Sequence, residues 1–332
     1  MAAAGYDVYI GNNRGTEYST GHDSLAYTSE EYWSYDFEGY AEDVLANMKM
    51  MFDHSGDKKG YYYGFSLGTV QMLMALPKFE AQLKDYLNKV VLLAPCMFLS
   101  EEGYTMLGAE EPMRTVGYYS NEMKKAGVYA LKGPNWDINK IKEQASAEAA
   151  AFSENWYDGF APVSLKLQDH FFQLSTLKRF QKYAPDYFVS EEESGTKTVV
   201  KEADLIDLAS ISSIPISLIN GLSDTSCEAA MTDETAEILK TLDNYISIQD
   251  KGHMQFDHGN QPDYIALLLN EAKTTGEKVK KTVVLEEEEP EVEPEVLGGG
   301  IVATDVEKKK EGAMATQAVT FCTLMMAAVF LQ

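Results

Sequence analysis

The stretch that decides the fold is Tyr61-Tyr62-Tyr63-Gly64-Phe65-Ser66-Leu67-Gly68-Thr69-Val70, in a chain of 332 residues. It predicts a short aromatic strand, a Gly-x-Ser-x-Gly turn centred on Ser66, and then an apolar helix. The flanking glycines lack the Cβ atoms that would clash between strand and helix, so the serine hydroxyl is pushed out of the turn. The new helix directs its first amides at the same spot, and the Leu67 amide is the predicted donor to an oxyanion. The pattern is typical of a serine nucleophile.

Strands and helices alternate on both sides of this turn, which indicates parallel α/β construction. The pattern predicts strands over 6–11, 89–93, 214–221 and 245–249, and helices over 37–52, 228–242 and 262–272, with Asp36 as the first helix cap. We therefore predict an α/β fold with a mostly parallel sheet. Its core has an N-terminal part over 1–96 and a C-terminal part over 205–274.

The segment 97–204 breaks this alternation. It is rich in Met, Tyr and Phe and has helical spacing over 118–130, 138–152 and 163–183, without a clear buried strand. A helical insertion between two sheet strands has the outline of a lid or cap. Its Met and aromatic residues are more typical of plain core than of a cover over an apolar pocket.

The globular pattern ends near residue 275. We predict an acidic disordered linker over 275–312, because glutamates and prolines dominate part of it, and an apolar C-terminal tail over 313–332. The tail resembles a glycosylphosphatidylinositol attachment signal, with a simple tail anchor and an amphipathic or mistranslated end as the alternatives. Either anchor would associate the chain with a membrane. An attachment signal also requires a secretory leader, and residues 1–10 have no signal-peptide pattern.

Composition excludes one class of partner. The formal net charge is -24 and no basic stripe is present, which argues against nucleic-acid binding. Three widely spaced cysteines, Cys96, Cys227 and Cys322, predict neither a disulfide framework nor a zinc motif. Cys96 and Cys227 are therefore predicted to be small buried apolar residues. The residues imply no metal and no cofactor.

A serine nucleophile needs a histidine to take its proton and a carboxylate to orient that histidine. When the serine lies on such an elbow, the acid and then the histidine follow it along the chain. The chain has five histidines: His22, His54, His170, His253 and His258. The first two precede Ser66 and the third lies in the insertion. His253 follows a glycine on the loop that leaves the strand at 245–249, and it is preferred over His258.

The acid is predicted from the same logic. Asp224 ends the sequence Gly221-Leu222-Ser223-Asp224, which directly follows the strand at 214–221. Asp250 and Asp257 are the alternatives. Asp243 lies at a helix end and is predicted to be a solvated charge.

Seven segments, in order along the chain, resemble the acid lipases, the gastric and lysosomal lipase group of α/β hydrolases. They are Ala4 to Gly15, Tyr32 to Phe37 with Asp43, the Ser66 turn, Leu93-Ala94-Pro95, His170 to Gln173 with Phe180 to Tyr183, Gly221 to Asp224, and His253 to Phe256. The similarity runs from about Ala4 to Leu269. It implies the α/β-hydrolase fold with a helical lid insertion.

The chain departs from the family pattern in two respects. Phe65 stands where the family usually has histidine. The family also has upstream strands and a His-Gly-Leu type turn that gives a second oxyanion donor, and no such stretch precedes Ala4. We therefore expect a partial fold with its first strands missing, an unpaired sheet edge, and Leu67 as the remaining donor.

The resemblance implies a serine ester hydrolase that cleaves neutral lipid esters, such as triacylglycerols or sterol esters, at a lipid-water interface. Ser66 would be the nucleophile, His253 the base and Asp224 the orienting acid. The implied location is the secretory pathway, either lysosomal or extracellular and membrane-anchored. The alternative is a catalytically weak or inactive, membrane-associated lipid-binding or interaction protein on the same scaffold.

Overall fold

The fold is built around a seven-stranded sheet. The computed structural model describes residues 1–106, 117–155, 161–185, 188–192, 195–199, 203–256, 262–273, 280–285 and 327–331. In spatial order the strands are β1 (Tyr6–Ile10), β11 (Ala327–Leu331), β2 (Gly60–Phe65), β3 (Leu87–Leu93), β8 (Ile216–Gly221), β9 (Leu242–Ile248) and β10 (Lys280–Val283). The five strands from β2 to β10 are parallel, and β11 is antiparallel to both of its neighbours. The predicted α/β class and mostly parallel sheet are confirmed.

Helices cover both faces of the sheet, as burial of a parallel sheet requires. They are α1 (Phe37–His54), α2 (Leu67–Tyr86), α8 (Ala229–Ile238) and α9 (Pro262–Lys273). Side chains of β2 alternate between the faces: Tyr62 packs in the cluster with α1 and α2, whereas Tyr61 and Tyr63 pack in the cluster with Tyr264 of α9. This alternation fixes the register of the strand that leads into Ser66.

The first two helices begin where the sequence predicts. Asp36 caps α1, because its Oδ1 accepts a hydrogen bond from the Glu38 amide at 2.8 Å. Helix α2 continues to Tyr86 with a kink at Phe79. The kink follows Pro77, whose ring removes one backbone donor from the helix.

The insertion between β3 and β8 is mostly helical, as predicted. It contains α3 (Glu101–Met106), α4 (Tyr118–Lys125), α5 (Ile138–Gln144), α6 (Ala147–Asn155) and α7 (Leu165–Leu177). It also contains two short antiparallel pairs, β4 (Ala130–Leu131) with β5 (Val163–Ser164), and β6 (Phe188–Glu192) with β7 (Gly195–Val199). A separate cluster that includes Met123, Ile141 and Phe152 forms its interior.

His170 joins the insertion to the core. It is fully buried on α7, its Nδ1 accepts a hydrogen bond from the Phe37 amide at 3.4 Å, and its Nε2 donates to the Gln181 carbonyl at 2.9 Å. Burial lowers the pKa of the His170 imidazole, although its hydrogen bond to Gln181 and the nearby Asp36 oppose the shift. His170 is therefore a neutral bridge between α7 and the start of α1.

Two predicted segments need correction. The disordered linker predicted over 275–312 contains β10, which pairs in parallel with β9. Its lysines obscured the strand pattern in the sequence, yet edge strands commonly carry lysine. The C-terminal tail contains β11, which pairs with β2 and thereby covers the edge that we expected to be unpaired. Residues 286–326 and 332 lie outside the described part of the chain.

No helix in the described ranges is both long enough and apolar enough to span a membrane.

A buried ionic cluster lies near the amino-terminal ends of β3 and β9. The Lys89 ammonium contacts the carboxylates of Asp243 at 2.5 Å and Glu271 at 3.2 Å. Ser217 and Asn244 donate further hydrogen bonds to Glu271, each at 2.8 Å. Asp243 is therefore largely buried and paired, so the predicted solvated charge is wrong.

Replacing Lys89 with alanine should destabilise the protein by about 3–5 kcal/mol, because two buried carboxylates would lose their cation. Urea unfolding measures the change. Lys49→Ala is the matched control, since Lys49 pairs with Asp53 on the exposed face of α1 and its loss should leave the midpoint unchanged. Equal midpoints for both variants would contradict the assignment.

The pH dependence of stability should report His170. Because its folded-state pKa lies below the free value of about 6.5, the unfolded chain binds a proton that the folded chain resists. The free energy of unfolding should therefore fall as pH decreases below about 6.5. His170→Gln keeps a donor and an acceptor at this position and should lose less stability between about pH 7 and pH 5. Identical pH slopes in urea unfolding would refute the neutral bridge.

Candidate active site

Ser66 occupies a sharp turn between β2 and α2. Its backbone has φ 50° and ψ -114°, a conformation that non-glycine residues rarely adopt. A Cβ atom on Gly64 would lie 2.6 Å from the Tyr62 ring and 2.8 Å from the Gly68 carbonyl oxygen, so glycine is required there. The Tyr62 hydroxyl donates to that same carbonyl at 2.8 Å. The strand and helix therefore close tightly around the serine.

Hydrogen bonds hold this turn in place. The Ser66 amide donates to the Leu93 carbonyl at the end of β3, at 3.1 Å. The Thr69 amide and hydroxyl both donate to the Ser66 carbonyl, at 2.8 and 2.6 Å. The Thr69 hydroxyl oxygen in turn accepts the Cys96 amide at 3.0 Å. The turn is thus fixed to the loop that follows β3.

His253 faces Ser66 from the loop after β9. It begins a 3-10 turn, His253–Phe256, and its Nε2 lies 2.9 Å from Ser66 Oγ. Its Nδ1 lies 2.7 Å from Asp224 Oδ2. The Phe65 ring packs against the imidazole with centroids 5.2 Å apart, and it also stacks on Phe256. The histidine is buried between its two hydrogen-bonding neighbours and this aromatic pair.

Asp224 lies in the turn after β8 and is buried. Its second oxygen, Oδ1, accepts the amides of Ser226 at 3.0 Å and Cys227 at 2.8 Å. These two bonds leave Oδ2 directed at the histidine. The carboxylate is therefore oriented by the backbone of its own turn.

Gly221 allows the acid and histidine loops to meet. A Cβ atom at this position would lie 1.9 Å from the Lys251 carbonyl oxygen, which is an impossible contact. The Ser223 amide donates to that oxygen at 3.1 Å, and the Leu222 amide donates to the Ile248 carbonyl at 3.0 Å. The glycine before the acid is thus needed for the approach of the two loops.

Lys251 lies on the loop that leads to His253, and its ammonium packs beside two aromatic rings. Its Nζ lies 4.2 Å from the centre of the Tyr264 ring and 5.4 Å from that of Phe256. Burial lowers the pKa of the Lys251 ammonium. The contacts with the two rings favour the charged form and so oppose this shift.

Three of the predicted site residues, Ser66, Asp224 and His253, come together in one hydrogen-bonded chain. Leu67, the predicted oxyanion donor, is the first residue of α2, so its amide is among the four that lack an acceptor within the helix.

The other candidate residues lie elsewhere. His170 bridges α7 and α1, and His22 and His54 are exposed. Asp250 is exposed and bonds the neighbouring Gln249 side chain at 3.1 Å. His258 and Asp257 lie outside the described residues.

A disulfide bond joins Cys96 and Cys227, which the sequence did not predict. The prediction that both are buried is confirmed, but they are covalently joined across a sequence separation of 131. Each cysteine lies three residues beyond a landmark of the site, Leu93 at the end of β3 and Asp224. This equal spacing from two predicted positions of the site was the feature of the sequence that could have indicated the pairing.

Metal binding does not fit these residues. In the ranges that the structure describes, one group of potential metal ligands clusters, namely Asp224, Cys227 and His253. The Cys227 sulfur is in the disulfide, so it is not a thiolate, and the other two side chains bond each other. The arrangement instead suits proton transfer from a serine to a histidine that a carboxylate orients.

Comparisons with known proteins agree with this geometry. Residues 1–113 match the model of the alpha/beta hydrolase fold family. Triacylglycerol lipase 1 of Arabidopsis thaliana is 23% identical over 275 residues, which cover 78% of this chain and 69% of the relative. Human lysosomal acid lipase/cholesteryl ester hydrolase is 30% identical over 102 residues, covering 29% of this chain and 26% of that protein. Lipase member M of Mus musculus is 33% identical over 90 residues, covering 26% of this chain and 21% of the relative.

Solved structures give a weaker likeness. The monoacylglycerol lipase of Paleococcus ferrophilus has a TM-score of 0.41 and 14% identity, covering 70% of this chain and 75% of the other. The elbow, the parallel sheet and the order of the three loops give this chain the α/β-hydrolase fold, and its sequence is similar to those of acid lipases.

Proposed function

We propose that this chain is a serine ester hydrolase that cleaves the acyl esters of neutral lipids. The observation that carries the proposal is the chain of two short contacts, 2.9 Å from Ser66 Oγ to His253 Nε2 and 2.7 Å from His253 Nδ1 to Asp224 Oδ2. Carboxylic ester hydrolysis as the class of activity is supported by the relatives, which are named as lipases.

The first half-reaction forms an acyl-enzyme. Ser66 Oγ attacks the ester carbonyl carbon while its proton passes to His253 Nε2. The carbonyl oxygen becomes an oxyanion near the amino terminus of α2, where the Leu67 amide donates to it. Collapse of this intermediate breaks the bond to the alcohol oxygen, which takes the proton from His253 and leaves. Asp224 stays ionised and holds the imidazole in the required tautomer.

The second half-reaction releases the acid. Water attacks the acyl carbon as His253 takes its proton, and a second oxyanion forms at the same amide. Its collapse breaks the bond to Ser66 Oγ, which recovers the proton from the histidine. The products are an alcohol and a carboxylic acid, and the enzyme returns to its starting state.

The substrate class is supported by an exposed apolar residue and by the relatives. A cavity of about 430 Å³ between the insertion and the core does not bear on it, because Lys178, Arg179, Asp207 and Glu234 line it together with apolar side chains and no residue of the Ser66 site does. Leu222, on the acid loop, is 41% exposed. Relatives are named for triacylglycerol and cholesteryl ester hydrolysis. The exposed leucine and the names of the relatives favour neutral lipid esters presented at a lipid-water interface.

The disulfide supports a location in the secretory pathway, lysosomal or extracellular, because such bonds persist in oxidising compartments. One relative is named as a lysosomal enzyme. Membrane anchoring through the tail is not part of the proposal, because residues 327–331 of that tail form β11 between β1 and β2.

Ser66→Ala and His253→Ala should each lower kcat on a soluble short-chain ester by about 10⁴-fold or more, because each removes a proton-transfer partner. Initial rates with a chromogenic ester measure the loss. His54→Ala removes an exposed histidine of α1 and should leave the rate unchanged. If the wild type and the three variants hydrolyse the ester at indistinguishable rates, the enzyme proposal is refuted and the lipid-binding scaffold is favoured.

Substrate class can be tested separately with emulsions. Wild-type protein should release fatty acid from emulsified triacylglycerol or cholesteryl ester, with Ser66→Ala as the blank. Titration of released acid measures turnover. Activity confined to soluble short-chain esters would overturn the neutral-lipid assignment while leaving ester hydrolysis intact.

A further inference from the structure

The Cys96–Cys227 disulfide joins the two loops that hold the nucleophile and the acid. Cys96 lies on the loop after β3, and Cys227 lies on the turn of Asp224. Both are almost fully buried. The disulfide therefore lies within the loops that support the chain of Ser66, His253 and Asp224. This position indicates a role beyond general stabilisation of the fold.

On the acid side, Cys227 touches the carboxylate directly. Its backbone amide donates to Asp224 Oδ1 at 2.8 Å, and this contact is one of the two that turn Oδ2 toward His253. A displacement of Cys227 would therefore rotate the carboxylate. Cys227 therefore both forms the disulfide and orients the Asp224 carboxylate.

On the nucleophile side, Cys96 is tied to the serine turn. Its amide donates to Thr69 Oγ1 at 3.0 Å, and Thr69 Oγ1 donates to the Ser66 carbonyl at 2.6 Å. The bond thus connects the acid turn to the first turn of α2 through two hydrogen bonds. The nucleophile and the acid share one covalent brace.

The rest of the acid turn is held in two different ways. Residues 222 and 223 bond the histidine side, at the Ile248 and Lys251 carbonyls. Beyond Asp224, Ser100 contacts the acid turn from the nucleophile side: its amide donates to the Ser226 carbonyl at 3.0 Å and its hydroxyl donates to the Thr225 carbonyl. The disulfide thus acts together with the two hydrogen bonds from Ser100 on this side of the turn.

We propose that the Cys96–Cys227 disulfide is a positioning element for Asp224: it holds the acid turn against the serine turn so that Oδ2 meets His253 Nδ1. The proposal rests on the serine hydrolase function above and deepens it. Cys96 and Cys227 act through Asp224 and touch no reacting atom. Loss of the bond would leave substrate binding intact and slow the chemical steps.

The test compares Cys96→Ser/Cys227→Ser with its parent in a Cys322→Ser background, which removes the third cysteine. We expect kcat on the short-chain ester to fall about 10- to 100-fold, the scale of an ångström-sized misplacement, with KM unchanged. Circular dichroism checks that both proteins are folded. A KM increase at constant kcat, or no change at all, would overturn the proposal.

A purely structural role is separated by repeating the comparison with Asp224→Asn. Because the disulfide acts through Asp224, its loss should produce no further fall in kcat once the carboxylate is absent. An equal fall in both backgrounds would show a general effect on the fold and refute the positioning role.

An NMR measurement tests the positioning of Asp224 without any substrate. The proton between His253 Nδ1 and Asp224 should give a downfield NMR resonance in the parent, and it should be lost in the serine variant. If the parent hydrolyses no ester, the proposed function fails, and this resonance still decides whether the disulfide positions Asp224. An unchanged resonance would overturn the proposal.

If the serine variant does not fold, the folded parent is reduced with a dithiol. Two electrons and two protons then pass to the disulfide, giving two thiols, while the dithiol closes to its cyclic disulfide. We expect the same loss of kcat and of the resonance, and recovery of both on reoxidation. Full retention of both in protein shown by thiol titration to be reduced would contradict the proposal.

Discussion

The backbone of Ser66 is the constraint on which the site depends. A non-glycine residue at positive φ costs on the order of 1–3 kcal/mol, and the surrounding fold must supply that energy. Here β2 and β3 hold the turn from one side through the Leu93 carbonyl, while α2 closes it from the other. The strand and helix crowd around Gly64 because they approach closely there, and this close approach leaves the Ser66 hydroxyl uncovered by either element.

Parallel strands explain why distant residues meet at this turn. The strands β2, β8 and β9 run in one direction, so their carboxyl ends and the loops after them share one edge of the sheet. Ser66, Asp224 and His253 each follow one of these ends. The bare backbone of Gly221 then lets two of the loops close to contact distance. Buried amides and aromatic rings around the three side chains keep their geometry from relaxing.

Much of this architecture could be predicted from local sequence patterns. Ser66, Asp224 and His253 could be selected from the sequence because each follows a strand pattern and is next to, or shortly after, a glycine. Features that need three dimensions could not. Cys96 and Cys227 are far apart in sequence, and their pairing follows only once both loops reach the same edge. Likewise β10 begins with two lysines, whose charge outweighs the strand signal of the residues after them. Asp243 was misjudged because its cation, Lys89, comes from another strand.

The place of β11 has a consequence for the order in which the sheet forms. Strand β2 pairs on one side with β3, the next strand in the sequence, and on the other with β11, near the opposite end of the chain. Closing a long loop costs more entropy than closing a short one, so the β2 and β3 pair should form early and β11 should join late. Until then the strand that leads to the nucleophile has an open edge. During synthesis, that interval is when this chain is most exposed to pairing with another copy.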